Sequence, residues 1–246
     1  MPRYKLTLEY DGAPFVGWQR QANGLSVQEA LEGALFALCG QAIAAHGAGR
    51  TDAGVHAGGQ VAHIDLPKVW EGPRLREAIN AHLAPHPIAA LLVEPVGDEF
   101  DARHSARMRR YVYRLINRRA PLTVERGRAW RVKRPLDAEA MREAARLLIG
   151  RHDFSTFRDS QCQAASPVRT LSAFDVERRG DLIEMRLSAR SFLHRQVRSM
   201  VGSLEHVGAG YWSAADLRDA LEAADRRRCG QVAPAHGLYL ARVDYR

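Results

Sequence analysis

The chain has 246 residues, 46% of them hydrophobic and 26% charged, which excludes a disordered or collagen-like polymer and fits one large domain or two small fused ones. Its formal net charge is +8, from 36 Lys and Arg against 28 Asp and Glu. Arg greatly outnumbers Lys, a balance suited to two-pronged phosphate contacts and to stacking on bases.

Three widely spaced cysteines, Cys39, Cys162 and Cys229, form no C-x-x-C pair and support neither a disulfide framework nor a structural zinc site. The N-terminus enters a strand pattern with no signal-peptide core, and no apolar run is long enough to span a membrane. A reducing, cytoplasmic setting is the expectation.

Along the chain, Tyr4–Tyr10 reads as a strand ended by Asp11-Gly12. Ser26 with Glu29 is a capping-box signal for a helix whose apolar stripe is Leu31, Ala34, Leu35 and Leu38, and Gly40 supplies the stop. A short strand is expected at 42–45, then a Gly-rich loop over 47–59, a strand at 60–66, a helix at 73–83 and a strand at 88–95. Residues 98–106 read as a connection. A β-rich run follows at 108–117. Asp137 caps a helix with the stripe Met141, Ala144, Ala145 and Leu148, ended by Gly150. Strands at 168–178 and 181–189 are joined by a turn at Gly180-Asp181. Ile183, Met185, Leu187 and Ala189 alternate along the second, which buries one face. Helices are expected at 194–207 and 214–223, and a last strand at 237–243.

Each half reads strand, helix, two strands, helix, strand, the ferredoxin-like pattern that many RNA-binding modules also use. The expected fold is α+β. Two such halves, residues 1–104 and 105–246, join into a long central antiparallel sheet flanked by helices.

The stretch most open to a chemical role is Gly49-Arg50-Thr51-Asp52-Ala53-Gly54-Val55-His56-Ala57. Asp between glycines is a common turn residue. Two glycines can also present one carboxylate at a cleft floor. Upstream stand Glu9-Tyr10-Asp11-Gly12, Phe15-Val16-Gly17-Trp18-Gln19-Arg20-Gln21 and Ser26-Val27-Gln28. Downstream follow Ala106-Arg107-Met108-Arg109-Arg110-Tyr111-Val112-Tyr113-Arg114, below called the second motif, and His152-Asp153-Phe154-Ser155-Thr156-Phe157-Arg158. Phe192-Leu193-His194-Arg195-Gln196-Val197-Arg198-Ser199-Met200-Val201-Gly202, the third motif, and Gly237-Leu238-Tyr239-Leu240, the closing motif, complete the series. No one of these is specific alone. As an ordered set from Tyr4 to Tyr245 they resemble the TruA family of tRNA pseudouridine synthases.

The resemblance implies the pseudouridine synthase fold and an isomerase acting on uridines 38, 39 and 40 in the anticodon stem-loop of tRNA. It also implies a homodimer whose two clefts share one tRNA. Asp52 becomes the catalytic nucleophile, attacking either the ribose C1′ or the uracil C6. By the same resemblance Arg50 holds the flipped nucleotide or its backbone, Tyr111 stacks on the target base, and Arg198 pairs with Asp52. The chemistry calls for no metal and no cofactor, and the chain carries no P-loop, H-E-x-x-H or dinucleotide fingerprint. His46, His56 and His63 surround the Asp loop without making a metal set. Tyr113 reads as packing, the arginines between 103 and 119 as a tRNA track, and Arg226-Arg227-Arg228 as an exposed helix end.

Two other readings share parts of the pattern. One is a catalytically inactive RNA-binding module or tRNA chaperone. The other is a hydrolase of glycosidic bonds, which ordinarily needs a second carboxylate that the motifs do not supply.

Overall fold

The computed structural model describes residues 1–245. In chain order the first elements are β1 (Arg3–Tyr10), α1 (Val27–Cys39), β2 (His46–Gly47), β3 (His56–Asp65), α2 (Gly72–Leu83) and β4 (Ile88–Val96). They continue with β5 (Met108–Asn117), β6 (Trp130–Val132), α3 (Ala138–Arg146), β7 (Gly150–Asp153), β8 (Val168–Arg179) and β9 (Leu182–Ala189). The last are α4 (Gln196–Gly208), α5 (Ala214–Glu222) and β10 (Leu238–Asp244). This is the expected mixture of helices with mostly antiparallel strands. The chain divides into two compact units, Met1–Arg107 with the segment from Tyr239 onward, and Met108–Leu238.

In the first unit, β1 lies between β4 and β3, antiparallel to both. Alternate residues of β1 are buried, Tyr4, Leu6, Leu8 and Tyr10, because neighbouring side chains of a strand point to opposite faces. Each such buried side chain contributes about 2 kcal/mol of hydrophobic stabilisation. β2 and β10 share the other side of β3: β2 pairs His46 with His63, and β10 runs parallel with Tyr239 opposite His56. The order β4-β1-β3-β2 is that of a ferredoxin-like half with a stunted second strand. Between the pairs Leu8–Gln60 and Tyr10–Ala57 one extra residue is accommodated on β3, at Gly58-Gly59. A side chain at Gly59 would stand 2.4 Å from the Ala241 carbonyl oxygen, so only glycine lets β10 approach.

Helix α1 starts where expected. The Ser26 hydroxyl accepts the Glu29 N–H, and Val27, Ala30, Leu31, Ala34 and Leu35 are buried. Gly40 closes it in the left-handed conformation, donating to the Phe36 carbonyl at 2.8 Å.

The second unit has the order β5-β9-β8-β7, antiparallel throughout, with β6 parallel to β5. Asp137 caps α3, accepting the N–H groups of Glu139 and Ala140. The stripe Met141, Ala144, Ala145 and Leu148 is buried. Helix α4 is buried on nearly every side, including the polar Gln196, Ser199, Ser203 and Glu205. Glu205 is satisfied there by Arg134 and Gln231.

Four expectations are corrected. Residues 42–45 are not a strand; the pairing is two residues long and falls at His46–Gly47. β3 begins at His56 rather than Gln60. The short strands β6 and β7 have no apolar period to announce them. Helix α4 begins at Gln196 instead of His194, because Arg195 takes a left-handed backbone, φ 57. The last strand, β10, pairs with β3 of the first unit.

Candidate active-site residues

The Asp52 stretch is held by the Phe15–Gln21 segment within the first unit. Gly17 and Asp52 form an isolated antiparallel bridge. The Trp18 N–H donates to the Thr51 carbonyl at 3.1 Å, and the Gly54 N–H to the Phe15 carbonyl at 3.4 Å. Gly17 has φ +110, and a Cβ there would lie 2.6 Å from the Thr51 oxygen, so the bridge requires glycine. Phe15 and Trp18 themselves are buried. Asp52 is half-buried and Arg50, two residues earlier, is exposed.

A second set of contacts fixes the loop from inside. The Tyr10 hydroxyl and Thr51 Oγ1 are 2.8 Å apart, and the Gln60 amide donates to the Gly49 carbonyl at 2.8 Å. Burial pushes the Tyr10 hydroxyl up to about 12, against the hydrogen bonds of Thr51 and Gln60, so it remains a neutral strut. The Gly12 N–H donates to His56 Nδ1 at 3.0 Å. Tyr239 of the closing motif stacks on the His56 ring, centroids 4.7 Å apart. His46 and His63 stack on one another at 4.9 Å, and His63 Nδ1 accepts the Ala102 N–H. The histidines around the loop thus have packing and hydrogen-bonding roles.

In the second unit the second and third motifs meet. Tyr111, half-buried on β5, presents its ring edge-on to Phe192, centroids 5.2 Å apart. Tyr113, two residues along the same strand face, is fully buried and donates to the Pro234 carbonyl at 2.9 Å. Burial raises the Tyr113 hydroxyl well above its ordinary value, with the positive charge of Arg198 acting the other way. The different burial of the two tyrosines agrees with reading Tyr113 as packing. Arg198, in the first turn of α4, donates from Nε to the Ala233 carbonyl at 2.7 Å and receives the Ala233 N–H at its own carbonyl. These contacts hold the guanidinium stem.

The basic run is less uniform than its sequence suggests. Arg114 is paired with Glu125, and Arg118 lies 3.7 Å from Asp181. Arg103, Arg107, Arg110 and Arg119 have exposed side chains.

Two residues given no role from the sequence bind the third motif. Arg226, read as part of an exposed helix end, donates to Ser199 Oγ at 2.9 Å and to the Thr156 carbonyl. Asp159, one residue past the quoted segment at 152–158, pairs with Arg195 at 3.0 Å. Neither has a local pattern to reveal it, since both contacts join residues more than 25 positions apart. Among the described residues no group of three or more His, Cys, Asp or Glu side chains could hold a metal ion, and no helix is long and apolar enough to cross a membrane.

Comparison with known proteins follows the same lines. A family model described as tRNA pseudouridine synthase matches residues 7–105 and 144–246. A tRNA pseudouridine synthase A from Beijerinckia indica is 69% identical over 245 residues, covering 100% of this chain and 94% of the relative. Proteins of the same name from Methylocella silvestris and Rhodopseudomonas palustris are 65% and 61% identical, each covering 100% of this chain and 99% and 100% of their own length. Among solved structures, a chain from a Cbf5-Nop10-Gar1 complex aligns with a TM-score of 0.38 and 10% identity over 82% of this chain and 45% of that one, too slight a likeness to bear on the site. The family match and the full-length identities agree: the chain belongs to the tRNA pseudouridine synthase family.

Proposed function

We propose that this chain isomerises uridine to pseudouridine in tRNA, at positions 38, 39 and 40 of the anticodon stem-loop, with Asp52 as nucleophile. The N1–C1′ bond of the uridine breaks, the uracil turns, and a C5–C1′ bond forms, while C5 gives up its proton and N1 gains one, so that the product is an isomer of the substrate. Asp52 attacks C1′ or C6 and departs when the new bond is complete, so the protein is regenerated without a redox step. The resemblance assigns Arg198 to the Asp52 carboxylate, which a guanidinium keeps ionised and oriented. Tyr111 stacks on the extruded uracil, as aromatic side chains do with unstacked bases, and Arg50 holds the neighbouring backbone. Extrusion of a stacked base costs a few kcal/mol, which contacts between exposed arginines and phosphates offset.

The observation that carries this reading is the Gly17–Asp52 bridge. It makes the Asp52 stretch a built feature, bordered by a glycine that no other residue can replace and hydrogen-bonded through the backbone to the buried residues Phe15 and Trp18. A surface turn would need no such support. The reading also takes two copies of the chain to share one tRNA in the cytoplasm.

The test is incubation of the purified protein with unmodified tRNA transcripts, followed by mapping of pseudouridine by carbodiimide adduct and primer extension. Modification confined to positions 38, 39 and 40 is expected. Modification elsewhere overturns the assigned position, and none at all overturns the activity.

A further inference from the structure

The third motif enters α4 through a turn that an arginine adopts only with support. Arg195 stands at the N-cap with φ 57 and ψ 8, left-handed, and makes no side-chain cap to the helix. Glycine takes this backbone freely, whereas a residue with a Cβ does not.

Asp159 supplies the support twice. Its carboxylate Oδ2 accepts from Arg195 Nη1 at 3.0 Å, and its backbone N–H donates to the His194 carbonyl at 3.1 Å. The residue is 7% exposed, and its other carboxylate oxygen accepts the Gln161 N–H at 2.9 Å. Burial alone would raise the Asp159 carboxyl; the Gln161 hydrogen bond and the charges of Arg195, His194 and Arg226 bring it below its ordinary value instead. It is therefore an anion at neutral pH. Three residues beyond Arg195 is Arg198, whose stem is tied to Ala233, while the next residue, Ser199, receives Arg226.

We propose that Asp159 is a positioning residue for the reaction: by locking the left-handed turn at Arg195 it sets the direction in which the first turn of α4 presents Arg198. It touches neither the nucleotide nor Asp52 in this role, and the proposal rests on the reading of Arg198 given above.

The experiment compares single-turnover pseudouridine formation at saturating enzyme in wild type, Asp159→Asn, and Asp159→Asn combined with Arg195→Gly, with tRNA affinity measured separately. Asn keeps the size of the side chain and the Gln161 contact but weakens the hold on Arg195. Glycine at 195 adopts φ 57 unaided. Displacement of an orienting group by a fraction of an ångström is expected to slow Asp159→Asn about tenfold, with tRNA affinity within about threefold of wild type. The double variant should regain about threefold or more of that loss, a recovery that a merely destabilised core would not show. An Asp159→Asn rate within about twofold of wild type, or a double variant no faster than Asp159→Asn, overturns the proposal. Arg198→Ala run alongside separates the two levels. If wild type is inactive or Arg198→Ala is as fast as wild type, the underlying reading has failed and this proposal with it. If both behave as assigned while Asp159→Asn is indifferent, only the Asp159 assignment falls.

Discussion

Gly17 is the bridged partner of Asp52; its φ is +110, and a Cβ there would stand 2.6 Å from the Thr51 carbonyl oxygen. The Phe15–Gln21 segment is thus the scaffold of the Asp52 stretch, which gives glycine, aromatic and carboxylate separable roles that substitutions can distinguish.

Replacement of Asp52 by Asn removes the nucleophile at nearly constant shape. Pseudouridine formation should fall below detection, and tRNA affinity, which depends on arginines and phosphates, should stay within about fivefold. Tritium release from tRNA labelled at uridine C5 reads the first quantity and filter binding the second. Residual turnover at wild-type rates would remove Asp52 from its assigned role.

Gly17→Ala puts a methyl group against backbone and forces a side-chain residue to φ +110. A loss of about 2 kcal/mol or more in stability is expected, with reduced activity even at temperatures where the variant is folded. Urea denaturation, with turnover measured well below the transition, checks both parts.

Tyr111 is half-buried with its ring edge-on to Phe192, whereas Tyr113 is sealed in the core. Tyr111→Leu should therefore slow single-turnover isomerisation by about tenfold or more while changing tRNA affinity little. Tyr113→Leu should act mainly on stability, because it leaves the Pro234 carbonyl without its donor and a cavity beside Trp130. Equal losses in rate and affinity for Tyr111→Leu would argue against base stacking.

Arg50 is exposed, and its assigned partner is a phosphodiester. Arg50→Ala should weaken binding to different tRNAs alike and reduce the slope of log affinity against log salt by about one. A loss confined to particular tRNAs would contradict a backbone contact.

His63 links acidity to the stability of the first unit. Burial lowers its imidazole below the ordinary 6.5, the charges of His46 and Arg3 act in the same direction, and Asp101 and Asp65 oppose them. The unfolded chain takes up a proton near 6.5, whereas the folded ring stays neutral to lower pH. The contribution is therefore fully present above 6.5 and is lost as pH falls from there through the folded value. Protonating Nδ1 would also displace the Ala102 N–H that it accepts. Denaturation midpoints between about pH 7.5 and about pH 5.5 should fall in wild type and fall less in His63→Gln.

Local pattern along the chain was enough for most of the elements. The alternation of Tyr4, Leu6, Leu8 and Tyr10, the Ser26 cap with its Gly40 stop, and the Asp137 cap above the Met141–Leu148 stripe each rest on neighbours within four residues or on a repeat of two or 3.6. The candidate residues Asp52, Arg50, Tyr111 and Arg198 are marked by the family resemblance of the contiguous motifs in which they stand. Tertiary structure decided what carries no period and no neighbour. The two-residue strand β2 exists only because His46 meets His63. The left-handed entry to α4 exists with Asp159 from 36 positions away at its side. The need for glycine at 17 appears only when the Thr51 carbonyl arrives. The physical reason is common to all three. Hydrophobic period and capping are properties of a few successive residues, whereas a steric limit or a buried hydrogen bond belongs to two segments at once, and folding must bring them together before either can act.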